Sequence, residues 1–372
     1  MLISKRVIIN SMQYRYILVA IFLFGCGGIM SQSNQHNKTV FKQSNVHYVV
    51  RDLGTLPNCT GAVPGAINSR GHIAGVAASK THQYVFLWCD GRMMNLGDIP
   101  GYSEVNVTCM NDSDVIAGIA YNSVDGVVDD TVLPYAFIYD KAFHSILFPT
   151  GYICREIVGI NNKGMVIGRC SNSKTSYAFE YDGKQVKLLF AGAATGISDD
   201  GYIIGYKGHI DASEGVQIKE EGEVFLWKND STEVLKTPVD DYTHYTTPYL
   251  INNRNEAIFW GGDSFMIWRN GKKHKFPINS QQKFLALLFT KTNSNAYITA
   301  TGYDDYTSTA VLIRDGTMYD LNTLVDIDRT YHLLNALGIN DMGQIICIGN
   351  KNADLSETDT WNSHALLLSI EK

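Results

Sequence analysis

The chain repeats one short hairpin turn, and this repetition limits what it can fold into more than any other feature of the sequence. The stretches GAINSRGHIAG (65–75), GINNKGMVIG (159–168), GISDDGYIIG (196–205) and GINDMGQIIC (338–347) share a polar turn between apolar and small residues. A Gly three positions after the Asn or Ser suits the left-handed backbone of a tight hairpin. Self-similarity of this kind predicts many copies of one β unit.

Aligned on this turn, the chain contains seven units. The turn positions are Asn68, Asn111, Asn161, Ser198, Asn252, Asn293 and Asn340, spaced 43, 50, 37, 54, 41 and 47 residues apart. Three positions later stand Gly71, Asp114, Gly164, Gly201, Asn255, Ala296 and Gly343. All of these except Ala296 are residues that tolerate a left-handed backbone.

Each unit continues with an apolar, mostly aromatic strand. These strands read VFLW (85–88), AFIY (136–139), AFEY (178–181), VFLW (224–227), FMIW (265–268), AVLI (310–313) and ALLL (365–368). Dipeptides such as Asp90-Gly91 and Asn270-Gly271 then predict a second hairpin. One strand before the Asn turn and one after the second hairpin bring each unit to four strands. Four strands in about 45 residues are typical of a β-propeller blade.

The composition agrees with an all-β chain. The 372 residues include 33 Gly and 21 Tyr, only 18% are charged, and no long stretch repeats with the period of an amphipathic helix. The units cover residues 46–370 without a linker. We therefore predict a single propeller domain over residues 46–372.

The two ends of the repeat region predict how the domain closes. The seventh unit stops at HALLLSIEK, after its third strand, whereas VHYVVRDLGTLP (46–57) precedes the first turn and belongs to no unit. Placed beside residues 365–370, this N-terminal strand would complete the last unit. The predicted fold is a seven-bladed propeller of four-stranded antiparallel blades that closes in this way. An open solenoid or two sandwiches is the alternative.

The N-terminal segment reads as an export signal. Lys5, Arg6 and Arg15 precede the apolar run ILVAIFLFG (17–25), which is too short to span a bilayer. LFGC (23–26) resembles the lipid-attachment box of bacterial lipoproteins, which implies cleavage after residue 25 and acylation of Cys26. Another cleaved export signal or an uncleaved anchor is the alternative. The polar residues 26–45 are predicted to be a flexible tether.

The units resemble the HAF repeats of bacterial extracellular proteins. The matching stretches are RDLGTLP (51–57), AINSRGHIAG (66–75) and YVFLWCDGRMMNLGDIPG (84–101), and the family's His-Ala pair is present at His364-Ala365. The resemblance covers nearly the whole mature chain and implies a propeller-like architecture. It implies no catalytic residue, because the family has no general biochemical role.

Charge limits the classes of partner. Removal of residues 1–25 takes away three basic residues and no acidic one, so the formal net charge changes from −6 to −9. A chain this acidic is a poor candidate for binding nucleic acid, since phosphate contacts need clustered Lys and Arg. Contact with a membrane is expected only through the lipid at Cys26.

Six cysteines remain if Cys26 is acylated, namely Cys59, Cys89, Cys109, Cys154, Cys170 and Cys347. An even number in an exported chain allows disulfides. Cys154 and Cys170 flank one hairpin turn and are the candidate pair. Buried free thiols are the alternative.

Variable loops mark the predicted binding side. The Asn turns and Asp-Gly turns are short. The longer loops are 122–134, 207–223 and 350–364 and the blade connections 237–249 and 325–334. Binding residues concentrate on long, variable loops of this kind. The candidate ligand-binding residues are Asp240, Asp241, Tyr242, His244, Tyr245, Asp328, Arg329, Tyr331 and His332. Tyr, Asp and His together suit a protein or glycan partner. The same loops allow calcium but lack an EF-hand pattern, and no other metal or cofactor is expected.

Three functions remain open. Zinc-protease, serine-hydrolase, Walker and dinucleotide-binding motifs are absent, so we expect a binding module of the cell envelope rather than an enzyme. Its location would be the outer membrane, the periplasm or the extracellular space. A carbohydrate hydrolase or lyase is the second reading, because paired carboxylates on distant loops leave no local motif. A purely structural envelope protein is the third. The ligand, the membrane leaflet and the oligomeric state do not follow from the sequence.

Overall fold

The computed structural model describes residues 46–124, 127–129, 131–210, 218–235, 250–260, 264–277, 286–303, 307–325, 331–351 and 363–371. In chain order the strands of the first part are β1 (Tyr48–Asp52), β2 (Gly61–Ile67), β3 (Ile73–Ala78), β4 (Gln83–Cys89), β5 (Arg92–Gly97), β6 (Glu104–Met110), β7 (Ile116–Tyr121), β8 (Ser123–Val124), β9 (Val127–Val128), β10 (Tyr135–Tyr139), β11 (Phe143–Ser145), β12 (Ile153–Ile160), β13 (Val166–Ser171), β14 (Ser176–Tyr181) and β15 (Val186–Ile197). They are followed by β16 (Ile203–Ile210), β17 (Ile218–Lys228), β18 (Ser231–Leu235), β19 (Leu250–Ile251), β20 (Ala257–Trp260), β21 (Ser264–Arg269), β22 (Lys272–Pro277), β23 (Ala286–Thr292), β24 (Ile298–Tyr303), β25 (Ser308–Arg314), β26 (Thr317–Asp320), β27 (Tyr331–Ile339), β28 (Ile345–Lys351) and β29 (His364–Ile370). One short 3₁₀ turn, Leu321–Thr323, follows β26.

The strands form antiparallel sheets, most of them four-stranded. The first sheet is β2-β3-β4-β5, and others are β6-β7-β10-β11, β19-β20-β21-β22 and β23-β24-β25-β26. Strands β12 to β18 form one seven-stranded sheet, in which the first half of β15 pairs with β14 and the second half with β16. A small hairpin joins β8 to β9. The predicted all-β class is confirmed, and five of the sheets in the described residues are four-stranded as predicted. The third and fourth units differ from the prediction, because β15 continues from one to the other and joins them in one sheet.

The last sheet joins the two ends of the described chain. Its strand order is β1-β29-β28-β27, with Tyr48 opposite Ile370 and Asp52 opposite Leu366. The N-terminal strand therefore lies where the sequence predicted it, as the fourth strand of the last unit. Within the described ranges, no helix has the length and hydropathy needed to cross a bilayer.

The hydrophobic core lies between the faces of successive sheets. One cluster combines Phe86 and Trp88 of the first sheet with Ile346 and Leu367 of the last, and similar clusters join the other neighbours. The third strands supply a fully buried Phe at 86, 137, 179 and 225. Each buried aromatic ring of this kind contributes about 1.5–3 kcal/mol relative to an exposed one.

The repeated Asn is explained by its hydrogen bonds. The Oδ1 atom of Asn161 accepts the backbone N–H groups of Lys163 (3.1 Å) and Met165 (3.0 Å), which fixes the hairpin turn. Its Nδ2 atom donates to the backbone carbonyl of Ser198 in the next unit at 3.3 Å. Asn161 is only 2% exposed. A buried amide is stable only when its polar atoms are paired, and these bonds supply the partners.

The same amide bond recurs from unit to unit. It joins Asn68 to the carbonyl of Asn111 (3.2 Å), Asn111 to Asn161 (3.2 Å), Asn252 to Asn293 (3.2 Å), Asn293 to Asn340 (3.0 Å) and Asn340 to Asn68 (3.0 Å). The Asn340 bond joins the last sheet to the first. Ser198 has no amide to donate, so the corresponding link to Asn252 is not made through its side chain.

The third position of each turn has a left-handed backbone in every unit. The φ angles of Gly71, Asp114, Gly164, Gly201, Asn255, Ala296 and Gly343 lie between 59° and 88°. Ala296, which the sequence alone did not favour here, has a φ of 59°. The repeated turn therefore imposes this conformation even on a residue with a Cβ atom, at a cost of about 1 kcal/mol or more.

A glycine in the second strand allows the third strand to pack closely. A Cβ atom on Gly118 would lie 2.7 Å from the buried ring of Phe137 and would overlap the carbonyl oxygen of Asn106. Gly75 and Gly168 stand in the same relation to Phe86 and Phe179. The small residues of the repeat are thus required by the large ones beside them.

The candidate disulfide is not formed. Cys154 and Cys170 lie opposite each other on β12 and β13, and both are buried free thiols. The sequence correctly placed them across one hairpin, but both side chains pack into a hydrophobic cluster with Ile157 and Phe179. Burial in apolar surroundings raises the pKa of both thiols, Cys170 to about 12, which suits small core residues.

Replacement of Asn161 by Ala should destabilise the protein by about 3 kcal/mol, because three hydrogen bonds are lost in a buried setting. Denaturant unfolding of the purified protein measures this change. Lys163→Ala, an exposed change in the same turn, should alter stability by less than about 0.5 kcal/mol. Equal effects of the two changes would contradict the role given to the amide.

Replacement of Ser198 by Asn should stabilise the protein by about 1 kcal/mol, because it supplies the amide that the other six units possess. The same unfolding measurement checks it. A Ser198→Ala variant serves as the control and should not be stabilised, since it adds no donor toward Asn252. A loss of stability in Ser198→Asn would show that the fourth unit differs in geometry from its neighbours.

Candidate functional site

Three strand ends meet on the side opposite the Asn turns. The hydroxyl of Tyr331, at the start of β27, donates to Oδ2 of Asp52 at 2.6 Å. Nδ1 of His364, at the start of β29, lies 2.9 Å from the same carboxylate oxygen. The Tyr331 and His364 rings meet edge to face, and the ammonium of Lys351 lies 5.5 Å from the Tyr331 ring centre. Aromatic, cationic and anionic groups are therefore held together on rigid strands.

The environment of Asp52 favours its charged form. Partial burial acts to raise the pKa of this carboxyl group, but hydrogen bonds from the Tyr331 hydroxyl and the Gly54 amide outweigh it, helped by His364, so the pKa lies below its usual value. Burial and the neighbouring Asp52 carboxylate both raise the pKa of Tyr331. At neutral pH the cluster thus contains a carboxylate and a neutral phenol that donates to it.

Only two of the nine predicted ligand-binding residues fall within the described ranges. Tyr331 belongs to the cluster above, and His332 follows it on β27. Burial raises the pKa of the nearby Asp320, and His332 acts weakly against this rise. The seven residues Asp240, Asp241, Tyr242, His244, Tyr245, Asp328 and Arg329 lie outside the described residues, as does Cys26. Sequence reasoning missed Asp52 and His364 as site residues.

A cavity of about 370 Å³ lies among the first strands of the units. Residues of β2, β6, β12, β15, β19, β23 and β27 line it, together with the turns that follow them. We call these seven the lining strands. The cavity is large enough for a small ligand, since such sites occupy about 300–1,000 Å³.

A repeated β-bulge shapes the wall of this cavity. The register shifts by one residue three positions before the turn residue, at Gly65, Thr108, Val158, Thr195, Thr290 and Leu337. Where the bulged residue is Thr, its hydroxyl donates to a carbonyl of the neighbouring strand, as from Thr108 to Ala117 (3.3 Å) and from Thr290 to Thr299 (3.0 Å). The Thr side chains thereby satisfy carbonyl groups where the ladder is interrupted.

Polar residues directly after the turn positions border the cavity. We call Ser69, Asp112, Asn162, Asp199, Asn253, Ser294 and Asp341 the rim residues. Five of these side chains accept a backbone N–H group of the preceding unit, as Asp112 does from Ser69 (2.9 Å), Asp199 from Asn162 (2.9 Å) and Asp341 from Ser294 (2.7 Å). The rim therefore ties neighbouring units together on the side of the short turns.

Two rim carboxylates lie close together. Nδ2 of Asn162 donates to Oδ2 of Asp112 and to Oδ2 of Asp199, each at 2.9 Å, so these oxygens lie within about 6 Å of each other. Retaining glycosidases use carboxyl groups about 5–5.5 Å apart. However, both oxygens of each carboxylate already accept a hydrogen bond. Burial acts to raise the pKa of Asp112, but bonds from Ser69 and Asn162 outweigh it and lower it, the opposite of what a general acid needs.

The described ranges contain no arranged metal site. No group of three or more His, Cys, Asp or Glu residues there is placed to hold an ion. The loops that suggested calcium, 237–249 and most of 325–334, lie outside the described residues.

Comparison with solved structures shows the fold. The chain superposes on a streptogramin B lyase with a TM-score of 0.51 and 10% identity, covering 87% of this chain and 98% of that one. It superposes on the β-propeller domain of the Trilobed protease from Pyrococcus furiosus, which has an open velcro topology, with a TM-score of 0.52 and 9% identity over 84% and 96% of the two chains. No family model and no curated protein matches the sequence. The fold is that of β-propeller proteins.

Replacement of Asp52 by Asn should destabilise the protein by about 2 kcal/mol at neutral pH, because a charged acceptor shared by Tyr331 and His364 is lost. Since the folded pKa of Asp52 is depressed, its contribution is present above the usual carboxyl pKa and is lost as the pH falls through the folded value. The stability difference between the two proteins should therefore shrink in acid. Unfolding at several pH values measures it.

The control for this experiment is Asp98→Asn, an exposed carboxyl group on a turn. It should leave stability nearly unchanged at each pH. A difference for Asp52→Asn that stays constant from neutral to strongly acidic pH would contradict the carboxylate-based account.

Proposed function

We propose that the chain is a seven-bladed, closed β-propeller that serves as a binding module. The seven-stranded sheet counts as two blades that share β15, and the other units supply one blade each. Two contacts support closure: β1 pairs with β29, and Asn340 of the last unit donates to Asn68 of the first. A closed ring would hold the loops of one side on a rigid base, which is the arrangement that binding loops need.

The ligand is proposed to be a protein or a glycan. It would bind to the loop-bearing side, which we define as the side that carries the long loops 122–134, 207–223, 237–249, 325–334 and 350–364. The observation that carries this proposal is the cluster of Asp52, Tyr331, His364 and Lys351, which stands at strand ends beside the long loops. Aromatic rings with polar neighbours suit both kinds of partner. The loops with Asp240, Tyr242 and His244, and with Asp328 and Arg329, would extend this surface.

The rim residues give little support to the alternative that the protein is a carbohydrate hydrolase or lyase. The carboxylates of Asp112 and Asp199 serve as acceptors for Ser69 and Asn162, and they lie on the side of the short turns. A purely structural envelope protein remains the third reading. It predicts that neither a protein partner nor a glycan binds in the tests below.

The protein is further proposed to be exported and held at the envelope by a lipid on Cys26. The support is the sequence pattern of residues 1–26 and the resemblance to HAF-repeat proteins. Residues 26–45 would place the propeller some distance from the membrane.

Exchange of residues 237–249 for a Gly/Ser sequence of equal length should abolish capture of a protein partner from envelope extract, or the glycan-array signal, because this loop would supply much of the contact surface. His332→Ala should weaken the same signal. Exchange of the short turn 182–185 serves as the control and should leave binding intact. Unchanged binding after the first exchange would remove the loop-bearing side as the site.

Growth of expressing cells with a radioactive fatty acid should label the wild-type protein and leave Cys26→Ser unlabelled, because acylation needs the Cys26 thiol. Fractionation should then find the variant away from the membrane. Cys59→Ser is the matched control and should remain labelled. Label on the Cys26→Ser variant would contradict the proposed anchor.

A further inference from the structure

One lysine interrupts a wall of small and apolar residues in the cavity. Two positions before the turn residues, the lining strands have Ala66, Cys109, Gly159, Gly196, Leu250, Lys291 and Gly338. All seven residues border the cavity of about 370 Å³. In a repeat protein, a position where one unit departs from the chemistry of all the others indicates a local role.

The Lys291 ammonium reaches across the cavity. Its Nζ atom lies 3.4 Å from the carbonyl oxygen of Val158, which belongs to β12 and is 133 positions away in the chain. Val158 is a bulged residue, so its strand register is locally interrupted. A neutral acceptor at 3.4 Å is a weak partner for an ammonium group.

Lys291 has no carboxylate within ion-pair distance among the described residues. Burial raises the pKa of Glu156 on β12, and the charges of Arg169 and, to a smaller extent, Lys291 act against this rise. The ion-pair partner of Glu156 is Arg169, at 3.7 Å. The Lys291 side chain is partly buried and its ammonium group has one weak neutral contact. A bound anion would supply the charged partner that the described residues do not provide.

We propose that this cavity binds the carboxylate group of a small ligand through Lys291. The cavity among the lining strands supplies the space, and Lys291 supplies the charge. The hydroxyl oxygens of Thr108 and Thr195, whose protons are donated to backbone carbonyls, can accept hydrogen bonds from the rest of the ligand. This site is separate from the loop-bearing side and does not depend on the function proposed for it.

The rim limits the charge of the ligand. Asp112, Asp199 and Asp341 border the same cavity, and their negative field disfavours a second anionic group. The ligand class is therefore a short monocarboxylate, preferably with hydroxyl or amine donors at its other end. Phosphate and dicarboxylates should bind less well.

Calorimetric titration of the purified protein with butyrate tests the proposal. We expect saturable binding to the wild type, about tenfold weaker binding to Lys291→Met, and unchanged binding to Lys163→Met, an exposed control. Lys291→Arg, which keeps the charge, should retain most of the affinity. Absence of saturable binding to the wild type, or equal binding to Lys291→Met, would overturn the proposal.

If Lys291→Met does not fold, titration of the wild-type protein with several small molecules tests the same proposal. Butyrate should bind more tightly than butanol or butylamine, because only butyrate offers an anion to Lys291. It should also bind more tightly than succinate or inorganic phosphate, because of the rim carboxylates. Equal binding of butanol would show that charge plays no part, and preferred binding of succinate or phosphate would overturn the predicted ligand class.

Discussion

The structure depends on the buried amide of the turn Asn, which makes hydrogen bonds both within its own hairpin and to the next unit. The amide oxygen of each turn Asn holds its own hairpin by accepting two backbone N–H groups, as Asn68 does from Arg70 and His72. The amide nitrogen of the same side chain donates to the next unit. Local turn geometry and the joining of neighbouring units are therefore coupled in a single residue. Asp has no N–H group to donate, Ser has a single, shorter hydroxyl in place of the separate amide oxygen and nitrogen, and Gln has a longer side chain, which explains why the sequence returns to Asn. The rim residues add a second set of links directly beside the first, so neighbouring units are held by polar contacts at the turns and by apolar contacts along the sheets.

The last sheet brings together two motifs from the two ends of the described chain. His364 comes from the His-Ala pair and Asp52 from the RDLGTLP stretch, and the two meet at 2.9 Å across β29 and β1. Asp52 also accepts the amide of Gly54, which shapes the chain after the strand. In the first unit, Asn95 of MNLG accepts the amide of Gly97 in the same way. The Asp-Leu-Gly and Asn-Leu-Gly sequences thus have a local turn function at both places, and Asp52 in addition contacts a histidine within the last sheet.

Much of the fold could be predicted because its determinants are local. The period of the Asn turns, the aromatic third strands and the unpaired strand at 46–57 were sufficient to predict four-stranded sheets and the pairing of β1 with β29. The bulges were not predicted, since a residue such as Val158 or Thr290 has no local sign of an extra position in the ladder; the recurrence of Thr three residues before the turn was the available signal. Ala296 was unexpected because the tertiary framework overrides its own backbone preference. Asp52 and His364 are 312 positions apart, so only the folded chain shows that they meet. The aligned sequence shows that Lys291 is an exception to the repeat, but it does not show that this side chain crosses the cavity.

We expect the Asn amides to couple the units that they join, including the first and the last, into one cooperative structure. Native-state hydrogen exchange tests it at the backbone amides that the turn asparagines hold, such as those of His72, Met165 and Gln344. We expect all three to exchange only through the same global opening, with equal free energies. Much faster exchange at His72 and Gln344 than at Met165 would mean that the contact between the last and first units opens by itself, and would contradict their coupling to the other units.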